Sequence, residues 1–218
     1  MKRAIKKGTQ KLFLKLGYDV HFYATRDVFK LSNAETDKIN AITKKIDKIH
    51  YGSFHKLFDG WINTDWNLKT KLDTEPYVIA LDLTKKHPFR DDTFNYAYSE
   101  DFIEHLEQAD QIIFLSEVFR TLKPNGVFRM SYPGFEELLK NHFHKIEYEN
   151  LMFEKSRTYD LYGHRHHFTK EELKLLCKHI GFSVVEFVSF GTSNHNIFKN
   201  IDTRIEQANQ NTFVELKK

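Results

Sequence analysis

A chain of 218 residues, 40% hydrophobic and 29% charged, is long enough to bury one sizeable core and reads as one globular domain with additions. Its single cysteine excludes an intramolecular disulfide, and no apolar run approaches the roughly 20 residues needed to span a bilayer. A formal net charge of +3 is too small for a uniformly basic surface, so there is no strong nucleic-acid signal.

Residues 1–17 carry six basic side chains (Lys2, Arg3, Lys6, Lys7, Lys11 and Lys15) and no acid, which leaves 27 basic against 30 acidic residues in the rest. Such an arm suits anionic lipid, nucleic acid or a phosphorylated substrate, but its first reading is a solvated helix face. Its only apolar run, Leu12-Phe13-Leu14, is too short for a signal peptide. With the lone Cys177 placed in a helical apolar pattern as a buried thiol, a cytoplasmic location is expected. Residues 1–46 read as a helical extension, broken around residues 17–25. Its second helix runs from about Asn33 to Ile46, with Ile39, Ile42 and Ile46 as an apolar stripe.

From Lys48 onward strands and helices alternate. Ile49-His50-Tyr51-Gly52 reads as a short strand entering a turn, and Trp61-Ile62-Asn63-Thr64-Asp65 as a second strand with a carboxylate at its end. Tyr77 to Leu81 is a continuous apolar run, suited to a strand buried on both faces, and Phe94 to Tyr98 follows as the next strand. A helix over about Ala109 to Leu122, with Ile112, Leu115, Phe119 and Leu122 on one side, stops at the turn Lys123-Pro124-Asn125-Gly126. Val127 to Tyr132 is a strand. Thr169 and Glu172 form a capping box for a helix carrying Leu173, Leu176, Cys177 and Ile180, which Gly181 ends. Phe182–Phe190 and Thr212–Leu216 are the last strands. The pattern is α/β with a mostly parallel sheet. In such sheets a turn after one strand and an acid after the next hold a nucleoside, because backbone approaches one end and the carboxylate takes the ribose hydroxyls.

These residues together resemble the class I S-adenosylmethionine-dependent methyltransferases, in particular their small type-11-like branch. Lys48, His50, Gly52, Gly60, Trp61, Ile62, Asn63 and Asp65 match without a gap. Asp82-Leu83, His87-Pro88-Phe89, Asp91-Asp92, Phe94, Tyr98-Ser99-Glu100, Glu104-His105-Leu106, Glu117, Arg120 and Leu122 to Gly126 follow in register. Glu171, Leu173, Gly181-Phe182 and Phe213-Val214-Glu215 fit the tail, so the resemblance covers roughly residues 47–217. It implies a Rossmann-like, doubly wound, seven-stranded sheet with an antiparallel last strand. It also implies a methyltransferase-like domain over 47–218, with an inserted lid-like segment at about 141–168. One departure stands at the cofactor loop, where Phe54 takes the place of the family's second glycine and Ser53 is the small residue before it. The Phe54 ring either swings outward and leaves the backbone path open, or fills the site.

The resemblance implies S-adenosylmethionine as cofactor. Tyr51, Gly52 and Ser53 would lie under its amino-acid end, Asp65 would accept from the ribose hydroxyls, Asp82 and Leu83 would meet the adenine, and Ser99 would sit beside the methionine portion. The sulfonium carries the activation, so the protein aligns the nucleophile, excludes water and removes at most one proton. General-base candidates are Glu100, His105 and the run Gly163-His164-Arg165-His166-His167, from which His166 is taken. No neighbouring carboxylate or cysteine gives that run a metal-ligand spacing, so no metal is expected. The expected activity is methyl transfer to an oxygen or nitrogen of a small-molecule or glycan-like acceptor. The alternative is a non-catalytic module on the same fold. The nicotinamide reading lacks its Gly-x-Gly-x-x-Gly loop.

Overall fold

The computed structural model describes residues 31–218; the basic arm and the break at residues 17–25 lie outside the described residues. Helix α1 (Asn33–Ile42) opens on a capping box in which Ser32 Oγ accepts from the Glu35 amide and the Glu35 carboxylate accepts from the Ser32 amide. It buries Ile39 and Ile42. Strands β1 (Lys48–Tyr51), β2 (Ile62–Asp65), β3 (Tyr77–Ala80) and β4 (Phe94–Glu100) follow. A 3-10 turn (Ile103–His105) leads into α2 (Gln108–Thr121) and β5 (Leu122–Pro133). After them come α3 (Phe135–Asn141), α4 (Tyr148–Lys155) with a π-helical continuation (Ser156–Leu161), α5 (Lys170–Ile180), β6 (Val184–Val188) and β7 (Asn211–Lys217).

The sheet has seven strands in the order β3-β2-β1-β4-β5-β7-β6. Strands β1 to β5 pair in parallel, and β7 runs antiparallel to both β5 and β6. Strand order reverses between β1 and β4, so the carboxyl ends of these two neighbours diverge into a crevice, the place where open α/β sheets bind ligands. The three links among β1, β2, β3 and β4 contain no helix among the described residues. The link from β1 to β2 is ten residues, near the shortest crossover two parallel strands allow.

The main core gathers Ile39, Ile42 and Ile46 with Tyr51, Phe114, Phe128, Leu173 and Cys177, so α1, α2 and α5 share it. A smaller cluster of Trp61, Tyr98, Val127 and Phe198 is joined by Phe58, Ile197 and Ile201, which brings in the β1–β2 link and the β6–β7 connection.

Two local expectations need correction. The buried stripe of α2 is Gln111, Phe114, Leu115 and Val118, whereas Ile112 is 43% exposed. The rotation follows from Phe114, whose ring meets Tyr51, Phe102 and Phe128 edge-on and is fully buried. The stretch Lys123–Gly126 is the irregular entry of β5 rather than a separate turn. Asn125 has φ 66°, and the register against β4 shifts between Phe94 and Tyr96. The capping box at Thr169–Glu172 and the stop at Gly181 stand as read.

Candidate functional site

At the carboxyl ends of β1, β2 and β4 lies a cleft of about 760 Å³, lined among others by Gly52, Ser53, Phe54, Asp65, Glu100 and His105. Its volume is that of an ordinary small-molecule site. The β1 end turns sharply because Gly52 takes φ +63°. A Cβ there would stand 2.6 Å from the Phe102 ring, so glycine is required on two counts. The Ser53 amide donates to Thr64 O (2.9 Å), and the Phe54 amide donates to Asp65 Oδ2 (3.1 Å). Asp65 is nearly buried and its other oxygen accepts from the Asn67 amide at 2.8 Å. A carboxylate offers about four acceptor positions, so two amides leave room for a vicinal diol.

Phe54 holds φ 45°, a region most non-glycine residues avoid. Its ring is 58% exposed and lies 4.0 Å from the His55 ring, centroid to centroid. The ring is thus not packed into the core, and it stands among the residues that line the cleft.

The remaining predicted residues divide. Tyr51 sends its ring into the core, where its hydroxyl bonds Thr121 Oγ1 at 3.0 Å and burial raises its pKa. Asp82 is outside the cleft lining; its Oδ1 accepts from the amide and hydroxyl of Thr84, at 3.0 and 2.6 Å. Leu83 and Ser99 are buried beside it and beside Glu100, respectively. Glu100 lines the cleft but is tied to Lys56 (2.9 Å) and Arg204 (3.3 Å). His166 is turned away: its Nδ1 faces Gln111 Oε1 at 2.8 Å, and the ring borders a separate groove beside Phe135 and Tyr159.

A second chamber of about 400 Å³ adjoins the cleft. The two share Asp101, His105, Tyr162 and Arg204, and the chamber adds Glu104, His142, Arg157, Thr158 and His164. Sequence reading missed Glu104 as a site residue. It is 1% exposed, and neither carboxylate oxygen has a hydrogen-bond partner among the described residues. Burial raises its pKa well above the ordinary glutamate value. Burial likewise lowers His105, and it lowers His164 to about 3 with the neighbouring His167 and His105 adding to the effect.

A family model described as a methyltransferase domain matches residues 18–187. The chain belongs to the methyltransferase-domain family. No curated protein is detectably similar in sequence. Among solved structures, an S-adenosylmethionine-dependent methyltransferase from Mesorhizobium loti is 15% identical, with a TM-score of 0.52 over 82% of this chain and 96% of that one. The complex between the Haloferax volcanii Trm112 methyltransferase activator and a putative methyltransferase contains a chain 14% identical. Its TM-score is 0.51 over 89% of this chain and 99% of that one. At these identities the likeness speaks for the fold, which is the Rossmann-like fold of S-adenosylmethionine-dependent methyltransferases.

For a methyltransferase the cleft is chemically suitable. Its glycine turn brings backbone to the crevice, Asp65 keeps free acceptor positions, and the buried Ser53 Oγ has no partner among the described residues. Trp66 and Tyr162, 68% and 58% exposed, supply aromatic surface at the rim.

Proposed function

We propose that this methyltransferase transfers a methyl group from S-adenosylmethionine to an oxygen or nitrogen of a small-molecule or glycan-like acceptor. S-adenosylmethionine is the cofactor, and it supplies an activated methyl on a sulfonium. The observation that carries the reading is a cleft with a glycine turn and a strand-end acid, opening into a second chamber past His105. Gly52 and Ser53 form the floor under the amino-acid end, and Asp65 takes the ribose hydroxyls. Thr84 engages only Oδ1 of Asp82, so what separates Asp82 and Leu83 from adenine binding is their place outside the cleft lining, and that role requires the β3 end to turn toward the cleft.

The chamber takes the acceptor. Its size suits a small molecule, and its lining of Arg157, Arg204, Thr158 and Gln207 suits an acceptor rich in hydroxyl or carboxylate oxygens. Residues 141–168 provide one wall as a lid-like segment. Of the bases named from sequence, His105 borders both cavities, and its lowered pKa leaves the imidazole neutral near pH 7, ready to take a proton. Glu100 acts instead through its ion pairs with Lys56 and Arg204, which set the junction between the cavities.

Calorimetric titration with S-adenosylmethionine tests the reading. Wild type is expected to bind, and Asp65→Ala to bind more weakly by about 1–3 kcal/mol, the usual cost of unpaired buried polar groups. No heat with wild type would favour the non-catalytic module.

A further inference from the structure

Glu104, His105 and His164 bring one ligand atom each to within 4.8 Å of one another at the border of the chamber. We propose that they form a divalent-metal site of the kind that takes zinc, with two imidazoles, one carboxylate and open positions toward the acceptor.

The first support is Glu104 itself. A carboxylate this buried is normally paired, because removing it from water costs several kcal/mol that only a partner offsets. Both its oxygens are without a hydrogen-bond partner among the described residues, and its nearest cationic candidate, His105 Nε2, stands 3.8 Å from Oε1. A metal ion satisfies such a group fully.

The second support is the way the backbone holds His164 over the 3-10 turn. The Glu104 carbonyl accepts from the Arg165 amide at 2.7 Å and from the His166 amide at 3.3 Å, so the turn after Gly163 is clamped directly above Glu104. His164 then meets the His105 ring edge-on at 4.9 Å, and its Nδ1 is buried without a partner. Neighbouring His167 donates from Nδ1 to Pro133 O (2.9 Å) and stands edge-on to His164 at 5.0 Å, which limits how that ring can turn.

Zinc bonds of 2.0–2.2 Å place tetrahedral ligands about 3.5 Å apart. Closing the cluster from within 4.8 Å therefore needs the ligand atoms to move by about an ångström. The donor set of two imidazoles and a carboxylate is that of zinc sites which keep a position open. A role in holding the acceptor's oxygen rests on the methyltransferase reading above; metal uptake does not. With metal bound, His105 is a ligand rather than a base, and the lowered pKa of a metal-held hydroxyl replaces it, its proton passing to water.

The test is titration of the full-length, chelator-treated chain with zinc chloride by calorimetry, repeated with cobalt(II) to read the ligand set from its absorption. One equivalent of zinc is expected at micromolar affinity or better. His164→Ala and Glu104→Gln should each weaken it at least tenfold while circular dichroism stays unchanged, and His179→Ala, on the exposed side of α5, should match wild type. Should Glu104→Gln fail to fold, His164→Ala, at a half-buried position, still decides. No saturable uptake, or equal uptake by wild type and His164→Ala, overturns the site. A chain that binds S-adenosylmethionine but no zinc overturns the metal site alone, and zinc without S-adenosylmethionine overturns the methyl-transfer reading alone.

Discussion

Arg129 in β5 and Glu104 after β4 are both fully buried ionisable residues, yet their surroundings are opposite. Arg129 donates to Glu215 Oε1 (2.7 Å), to both oxygens of Asp202 and to Thr192 O (2.9 Å). Asp202 also accepts from the Tyr98 hydroxyl (3.3 Å) and the Gly191 amide (3.0 Å). That cluster is closed: it ties β5 and β7 to the β6–β7 connection, and Arg129, Asp202 and Glu215 line neither the cleft nor the chamber. Glu104 has no such partners and borders the acceptor chamber. The satisfied buried charge is architecture, whereas the unpartnered Glu104 carboxyl borders a cavity where the proposed ligand would meet it.

The largest effect should come from breaking the closed cluster. Arg129→Met leaves two buried carboxylates without their cation, and urea unfolding should show a loss of about 3–5 kcal/mol. A loss below 1 kcal/mol would mean the cluster opens to water and the contrast is false.

A third buried group, His50, sharpens the comparison through pH. It lies between Phe58 and Tyr98, and burial, with the Lys56 charge adding to it, lowers its pKa to about 3. The unfolded chain takes up that proton near pH 6.5 and the native chain does not. Its contribution is therefore intact above pH 6.5 and declines as pH falls, until the native imidazole also titrates near pH 3. The slope is about 1.4 kcal/mol per pH unit. Unfolding between pH 6.5 and 5 should show wild type losing about 2 kcal/mol more than His50→Phe. Parallel curves would show that His50 is solvated in the native state.

Glu104→Met should give the smallest change and the opposite sign. Removing an unpaired buried carboxyl for a side chain of similar size should stabilise the metal-free chain by about 1–2 kcal/mol. A destabilisation resembling that of Arg129→Met would show that Glu104 is paired after all and erase the distinction.

Most of the fold was legible because its signals are local. The apolar strand runs, the capping box at Thr169 and the acid at Asp65 each lie within a few residues of the element they define. The exposed side of α2 was not, because Phe114 and Ile112 are equally apolar and only the aromatic neighbours of Phe114 decide between them. The Glu104–His164 proximity was illegible for a plainer reason: 60 residues separate the partners, and a backbone clamp through the Glu104 carbonyl joins them. His166, one of three histidines in four positions, was a reasonable choice on sequence, but Gln111 captures its ring and leaves the chamber to His164.

The hydrogen bond from the Phe54 amide to Asp65 has a consequence for how this loop can drift in evolution. The carboxylate grips the chain by its backbone, which every residue type except proline possesses, so it is indifferent to the side chain at position 54. A signature written in glycines can then erode while the shape persists, provided the replacement tolerates a left-handed backbone and keeps its bulk outside. Recognition by letters and recognition by form part company at this position, and the acid eleven residues downstream is the better guide to whether the loop survives.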